Sequence, residues 1–266
     1  MTLMETLDRL SVLNRDNGHI FTNTNRLEVI EECLWNSRYR KINPQGLFHL
    51  YSQLPVHKIL ESVVIVSSHV DCEEDITRCF TKVLEDGMLC GTYDNAITNA
   101  AITYLMLCGI LPDNVLVAFT GDKEEDSHGA SELIRYLRKK KILIKNVIVL
   151  DVTDMGWKDN ADFTVENNFW YDSFGQKIIK LAENSKCNWR FVPSDPNNIP
   201  KYINSKHTIP LEAEEDESWK YDEFHIECFS FCLPVFGDMH SDKGVLARKD
   251  SLEKYTLTLE QILNLS

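Results

Sequence analysis

A chain of 266 residues, 43% hydrophobic and 26% charged, carries enough apolar material to close a globular core. Its 41 acidic residues outnumber the 28 basic ones, and a formal net charge of -13 argues against nucleic acid as a partner, because phosphate contacts need a basic face. No apolar run is long enough to span a membrane, and the opening MTLMETLDRLSVLNRD lacks the apolar centre of an export signal, so a cytoplasmic protein is expected, its eight scattered cysteines reduced.

Residues 25–39 place apolar side chains at helical spacing behind a polar start. The stretches 46–53 and 62–68 read as strands, and 87–95 as a short strand running into a turn. An apolar helix over 96–109 stops at Gly109, with Pro112 just beyond. Strand 114–121 precedes a helix over 128–141 whose basic residues fall in its last turns, where the helix dipole favours them. Strand 146–154, helix 172–185, strand 228–238 and an amphipathic helix over 250–265 complete the order. Between them, 192–220 is rich in proline, asparagine and acids, and reads as a loop-rich excursion near a cleft. Continuous apolar strands alternating with helices predict an α/β fold: a mostly parallel central sheet with helices on both faces, in three layers. No repeat or linker interrupts the pattern, so residues 1–266 are expected to form a single compact catalytic domain.

The strand ends carry the chemistry. The stretch 62–68 runs into His69 and Asp71, VLVAFTGDKEED into Glu124 and Glu125, and VIVLD into Asp151. Asp94 stands in the turn before helix 96–109, and His240 follows strand 228–238. In open α/β sheets the carboxyl ends of the strands line the ligand crevice. Each residue alone has an ordinary reading: a satisfied histidine at a strand end, an Asp94 helix cap, an Asp151 turn cap, a solvated Glu-Glu pair. Together His69, Asp94, Glu125, Asp151 and His240 are two imidazoles and three carboxylates, a set that suits two divalent ions, zinc foremost, sharing one bridging carboxylate. Glu124, beside a ligand, is then free to take a proton, and Asp71 to orient the back of His69.

The ordered pieces SSHVD, GTYDNA, GDKEED…GA, LDVTD and GDMHSDKG resemble the co-catalytic zinc aminopeptidases, the leucyl-aminopeptidase-like branch of the zinc exopeptidases. The resemblance implies that His69 and Asp151 hold one metal, Glu125 and His240 the other, with Asp94 bridging and Glu124 as general base. It also implies a cis peptide between Asp94 and Asn95. The chain departs from the pattern after Glu125. Ser127 stands where the family has glycine, and Gly129 comes one position early. The 25 positions from His69 to Asp94 leave no room for the domain that tetrahedral aminopeptidases insert there, and the 89 from Asp151 to His240 little for a carboxypeptidase lid.

The activity so implied is hydrolysis of an amide at the N-terminus of a peptide. Substrate contacts are expected from 195–220 and from the stretch after Asp151, where Trp157 has packing as its ordinary role. A deacylase or carboxypeptidase is the alternative and needs a cationic anchor, for which Arg190 and Arg248 are the candidates. A glutaminyl-cyclase-like transferase with one zinc, and a relative that binds without catalysis, are further alternatives. Oligomeric state is not readable.

Overall fold

The computed structural model describes residues 1–12, 24–43, 46–59, 62–73, 76–167 and 172–265. Its strands are β1 (Arg40–Lys41), β2 (Phe48–Ser52), β3 (Val63–His69), β4 (Thr81–Val83), β5 (Met88–Gly91), β6 (Val115–Thr120), β7 (Ile144–Thr153), β8 (Phe163–Glu166), β9 (Trp189–Val192), β10 (Cys228–Phe236) and β11 (Val245–Arg248). The helices are α1 (Leu3–Leu10), α2 (Thr24–Leu34), α3 (Ala96–Cys108), α4 (His128–Lys139), α5 (Asp172–Asn184), α6 (Ser218–Glu223) and α7 (Lys249–Leu263). The sheet runs β1-β2-β6-β3-β7-β10-β11-β5-β4, with β8 on β10 and β9 on β8. Its centre, β6-β3-β7-β10, is parallel, and its flanks are antiparallel.

Alternation along the central strands explains the layers. Val64 and Val66, Val117 and Phe119, Ile148 and Leu150, and Phe229 and Phe231 face one core, shared with α1, α2, α3, α5 and α7. Val63 and Ile65, Leu116 and Ala118, and Val147 and Val149 face the other, shared with α4 and α6. A strand buried on both faces is apolar on both, which is why 63–66 in β3, 115–119 in β6 and 147–150 in β7 read as unbroken apolar runs. The fold is thus α/β, with a mostly parallel central sheet covered by helices on both faces.

The predicted central strands and helices all form, with ends displaced by a few residues. The helix expected over 25–39 stops at Leu34. Not foreseen are α1, α6 and the short strands β1, β4, β8, β9 and β11. Helix α1 begins on a capping box in which Thr2 accepts from the Glu5 amide and the Glu5 carboxylate accepts from the Thr2 amide. Apart from a helical turn at Ser205–His207 and a single bridge from Thr208 to Phe191 of β9, the excursion after β9 forms no helix or strand up to α6.

Candidate metal centre

The parallel register brings the first residues together. Ser68 of β3 lies opposite Leu150 of β7, so His69 and Asp151 follow at the same level on neighbouring strands. His69 is 1% exposed. Its Nε2 lies 3.4 Å from Asp151 Oδ1 and 2.9 Å from Asp94 Oδ1. Asp94 arrives from the turn before α3, where the Asp94-Asn95 peptide is cis, as the resemblance implies. That turn is fastened to the sheet: Asn95 Nδ2 donates to Leu150 O at 2.7 Å, and Asn99 Nδ2 to His69 O at 2.7 Å. His69, Asp94 and Asp151 therefore offer ligand atoms to one point. His69 Nε2 and Asp94 Oδ1 are buried without a hydrogen-bond partner despite their close approach. Their 2.9 Å contact is not an aligned hydrogen bond, and both atoms are of the kinds that bind a divalent ion.

A second group forms on the rim. Glu73, Glu124 and His240 offer ligand atoms to one another, and His240 Nε2 lies 3.4 Å from Asp94 Oδ2. Asp94 thus faces His69 with one oxygen and His240 with the other. Glu124 Oε1 is a third buried atom without a hydrogen-bond partner. Asp71 ties the groups together: its Oδ1 lies 3.3 Å from His69 Nδ1, and its Oδ2 accepts from the Glu124 backbone N–H at 3.1 Å.

The structure brings together His69, Asp71, Asp94, Glu124, Asp151 and His240, whereas Glu125 is exposed and belongs to neither group of converging ligands among the described residues. The reason lies in the loop after β6. Asp122 and Ser127 both take left-handed backbone conformations. Gly129 donates its N–H to Gly121 O, and a Cβ on it would stand 2.5 Å from that oxygen and 2.6 Å from Leu47 O. This close approach anchors the loop at Gly129, and the turn leading to it sends Glu124 inward and leaves Glu125 outside. Counted from Glu124 instead of Glu125, Gly129 is no longer one position early.

Lys123 is the residue that sequence reasoning missed. Its side chain is 14% exposed, with Nζ 3.5 Å from Glu124 Oε2 and 3.8 Å from Asp151 Oδ2. Burial alone would lower its pKa, but Asp151, Asp94, Glu124 and Asp71 hold it well above the ordinary lysine value. Burial likewise opposes charge on Asp94, yet Lys123, His69 and His240 keep that carboxyl well below its usual range. Burial pushes Glu124 up to about 8, and Asp94 adds to the rise. The position of Gly129 was the available signal: it places Lys123, not Glu124, immediately before the inward carboxylate.

The loop-rich excursion reaches this place. Glu214, Glu215 and Asp216 border the same cleft as Asp94, Lys123, Asp151 and His240. Trp157 is packed, stacked on Phe236 at 5.7 Å with the Arg248 guanidinium 3.7 Å from its ring centre. Arg190 is held by Asn188 and Asp159, and neither it nor Arg248 borders the cleft. No helix among the described residues is long and apolar enough to cross a membrane.

No family model and no curated protein matches the chain by sequence. Solved structures do match by shape. A TET aminopeptidase from a marine sediment archaeon of the Thaumarchaeota superposes with a TM-score of 0.72 at 9% identity, over 99% of this chain and 96% of that one. The TET1 peptidase of Pyrococcus horikoshii, which can assemble into a tetrahedron or a large octahedral shell, gives 0.68 at 10%, over 98% and 99%. The LapA aminopeptidase of Legionella pneumophila gives 0.62 at 11%, over 99% and 70%. The fold of this chain is that of the zinc aminopeptidases.

Proposed function

We propose that the chain is a divalent-metal-dependent hydrolase of amide bonds and that its substrate is the free N-terminus of a peptide. One observation carries this reading: His69, Asp94 and Asp151 meet at one sheet edge with His69 Nε2 and Asp94 Oδ1 buried, 2.9 Å apart and without an aligned hydrogen bond. Each such atom costs roughly 1–3 kcal/mol if left alone. Imidazole and carboxylate are ligands for zinc and its neighbours, so an ion relieves that cost. His69, Asp94 and Asp151 would hold one ion, and Glu124 and His240, sharing Asp94, a second. Ions held in this way acidify a water and polarise a carbonyl.

The remaining work falls to the chain's own residues. Asp71, 3.3 Å from His69 Nδ1, accepts that N–H and so leaves Nε2 bare. Glu214, Glu215 and Asp216 give the cleft an acidic border, a counter-charge for a peptide's α-ammonium group. Lys123 holds a fixed cation between Glu124 and Asp151. It precedes the carboxylate assigned here to the second ion, the place that the sequence reading gives to the proton acceptor. An ammonium group accepts no proton, but it donates to an oxygen that gains charge.

Lys123 also favours a second reading, a relative that binds peptide termini without turning them over. The experiment that separates the two loads the protein with Zn²⁺ or Mn²⁺ and screens aminoacyl, acyl-amino-acid and dipeptide amides, with wild type and Lys123→Glu side by side. The hydrolase reading expects ion uptake and release from aminoacyl substrates by the wild type. Ion uptake with turnover only by Lys123→Glu selects the binder. Cleavage confined to acyl-amino acids selects a deacylase, and a protein that takes up no ion sinks the hydrolase and binder readings together.

A further inference from the structure

Two cysteines stand beside the metal centre, and neither has a place in the chemistry described so far. Cys72 follows Asp71, and its Sγ lies 4.0 Å from Cys79 Sγ. Arg26, fully buried, sends Nη2 towards both sulfurs, at 3.6 Å and 3.7 Å. The rest of its guanidinium is anchored on backbone: Nε donates to Leu10 O at 3.2 Å and Nη1 to Val70 O at 3.0 Å. The positive group is thus locked in place over the sulfur pair. Sulfurs reactive towards oxidants sit in electropositive, partly exposed surroundings, whereas inert cysteines sit in apolar ones. Cys79 is partly exposed and Cys72 buried, so a small oxidant arriving from solvent meets Cys79 first.

We propose that Cys72 and Cys79 are a modification site: a dithiol that a hydroperoxide converts into a disulfide. The Cys79 sulfur attacks the outer oxygen of the peroxide. The O–O bond breaks, an alcohol or water leaves, and a sulfenic acid remains. The Cys72 sulfur then attacks the Cys79 sulfur; the S–O bond breaks, and its hydroxide leaves as water with the Cys72 proton. Two thiols are oxidised and one peroxide is reduced. The sulfurs have to close from 4.0 Å to about 2.0 Å. The hydrogen bond from Cys72 and, after it, the cation beside Cys79 hold the Cys79 thiol below its usual range, at about 7, against the opposing effect of burial.

The other cysteines provide an internal control. Cys108 is exposed, so if access alone governed reactivity it would oxidise first. The test treats the reduced full-length protein with hydrogen peroxide, alkylates the remaining thiols, and maps products by mass spectrometry of a non-reduced digest. The expected product is a peptide linked Cys72 to Cys79, formed while Cys108 still alkylates and reversed by a thiol reductant. In Cys72→Ser the sulfenic acid on Cys79 should persist and be trapped by dimedone. In Cys79→Ser no link should form and Cys72 should stay alkylatable. Recovery of Cys72 and Cys79 as free thiols after Cys108 has oxidised would overturn the proposal. So would dimedone labelling on Cys72 instead of Cys79. The outcome does not depend on hydrolysis: a protein without peptidase activity can still close this pair, and an active one can lack it.

Discussion

The two halves of the candidate metal centre are built differently. His69 and Asp151 end adjacent parallel strands, and Asp94 is fastened to the sheet through Asn95 and Asn99, so their positions follow from backbone register and are buried. Glu73, Glu124 and His240 stand on loops at the rim, with the His240 side chain 48% exposed. Sites on regular elements are held more tightly than sites on loops. The inner half is therefore expected to bind its ion in advance of the rim, and to resist substitution of anything but its own ligands.

The largest effect should come from His69→Ala, which removes the residue common to every contact of the inner half. Calorimetry with Mn²⁺ or Zn²⁺ should find the tighter of two binding events gone, and retention of both would break the distinction between the halves. Next comes the contest between neighbours. Glu124→Gln should lower the ion content from two per chain to one, while Glu125→Gln leaves it unchanged. Metal analysis after dialysis decides the matter. Full ion content in Glu124→Gln with turnover abolished would return Glu124 to the role of proton acceptor. Asp71→Asn should act on both halves at once, since Asp71 faces His69 Nδ1 and accepts from the Glu124 amide. Loss of such a supporting carboxylate lowers metal affinity by roughly 10–100-fold.

The smallest effect concerns the layer beneath. Glu217 is fully buried and accepts from Ser67 on β3. Burial raises its pKa from 4.5 to about 7. Folding thus prefers its neutral form, so its contribution to stability is complete below pH 4.5 and is lost as the pH rises through about 7. The shift corresponds to about 3 kcal/mol. Urea unfolding of the ion-free protein should show this decline in the wild type and a flatter profile in Glu217→Gln. Equal slopes in the two proteins would show that Glu217 does not set it.

Legibility in the sequence followed burial. Strands β3, β6 and β7 were readable because two-sided burial demands unbroken apolar runs, and α3 because Gly109 takes the left-handed conformation at its end. The flanking strands β4 and β11 are three and four residues long and only partly buried, so they leave no comparable pattern. Helix α1 was there to be read in the Thr2–Glu5 capping box. In the site, His69 and Asp151 were readable as polar interruptions at the ends of apolar runs, where a buried charge needs a reason, and Asp94 as the acid in the turn before α3.

What the sequence determined by itself was the inventory: a two-sided sheet, and imidazoles and carboxylates collected along one of its edges, since apolar runs force the strands inward and polar residues can only end them. What the tertiary structure decided was which of two adjacent glutamates enters the centre, and that a lysine enters with them. Glu124 and Glu125 are chemically identical, and Lys123 looks like any charge on a loop. The turn that separates them is held by contacts no local pattern announces: Gly129 packed against Gly121 and, far away in the chain, Leu47, and the Glu124 amide on Asp71.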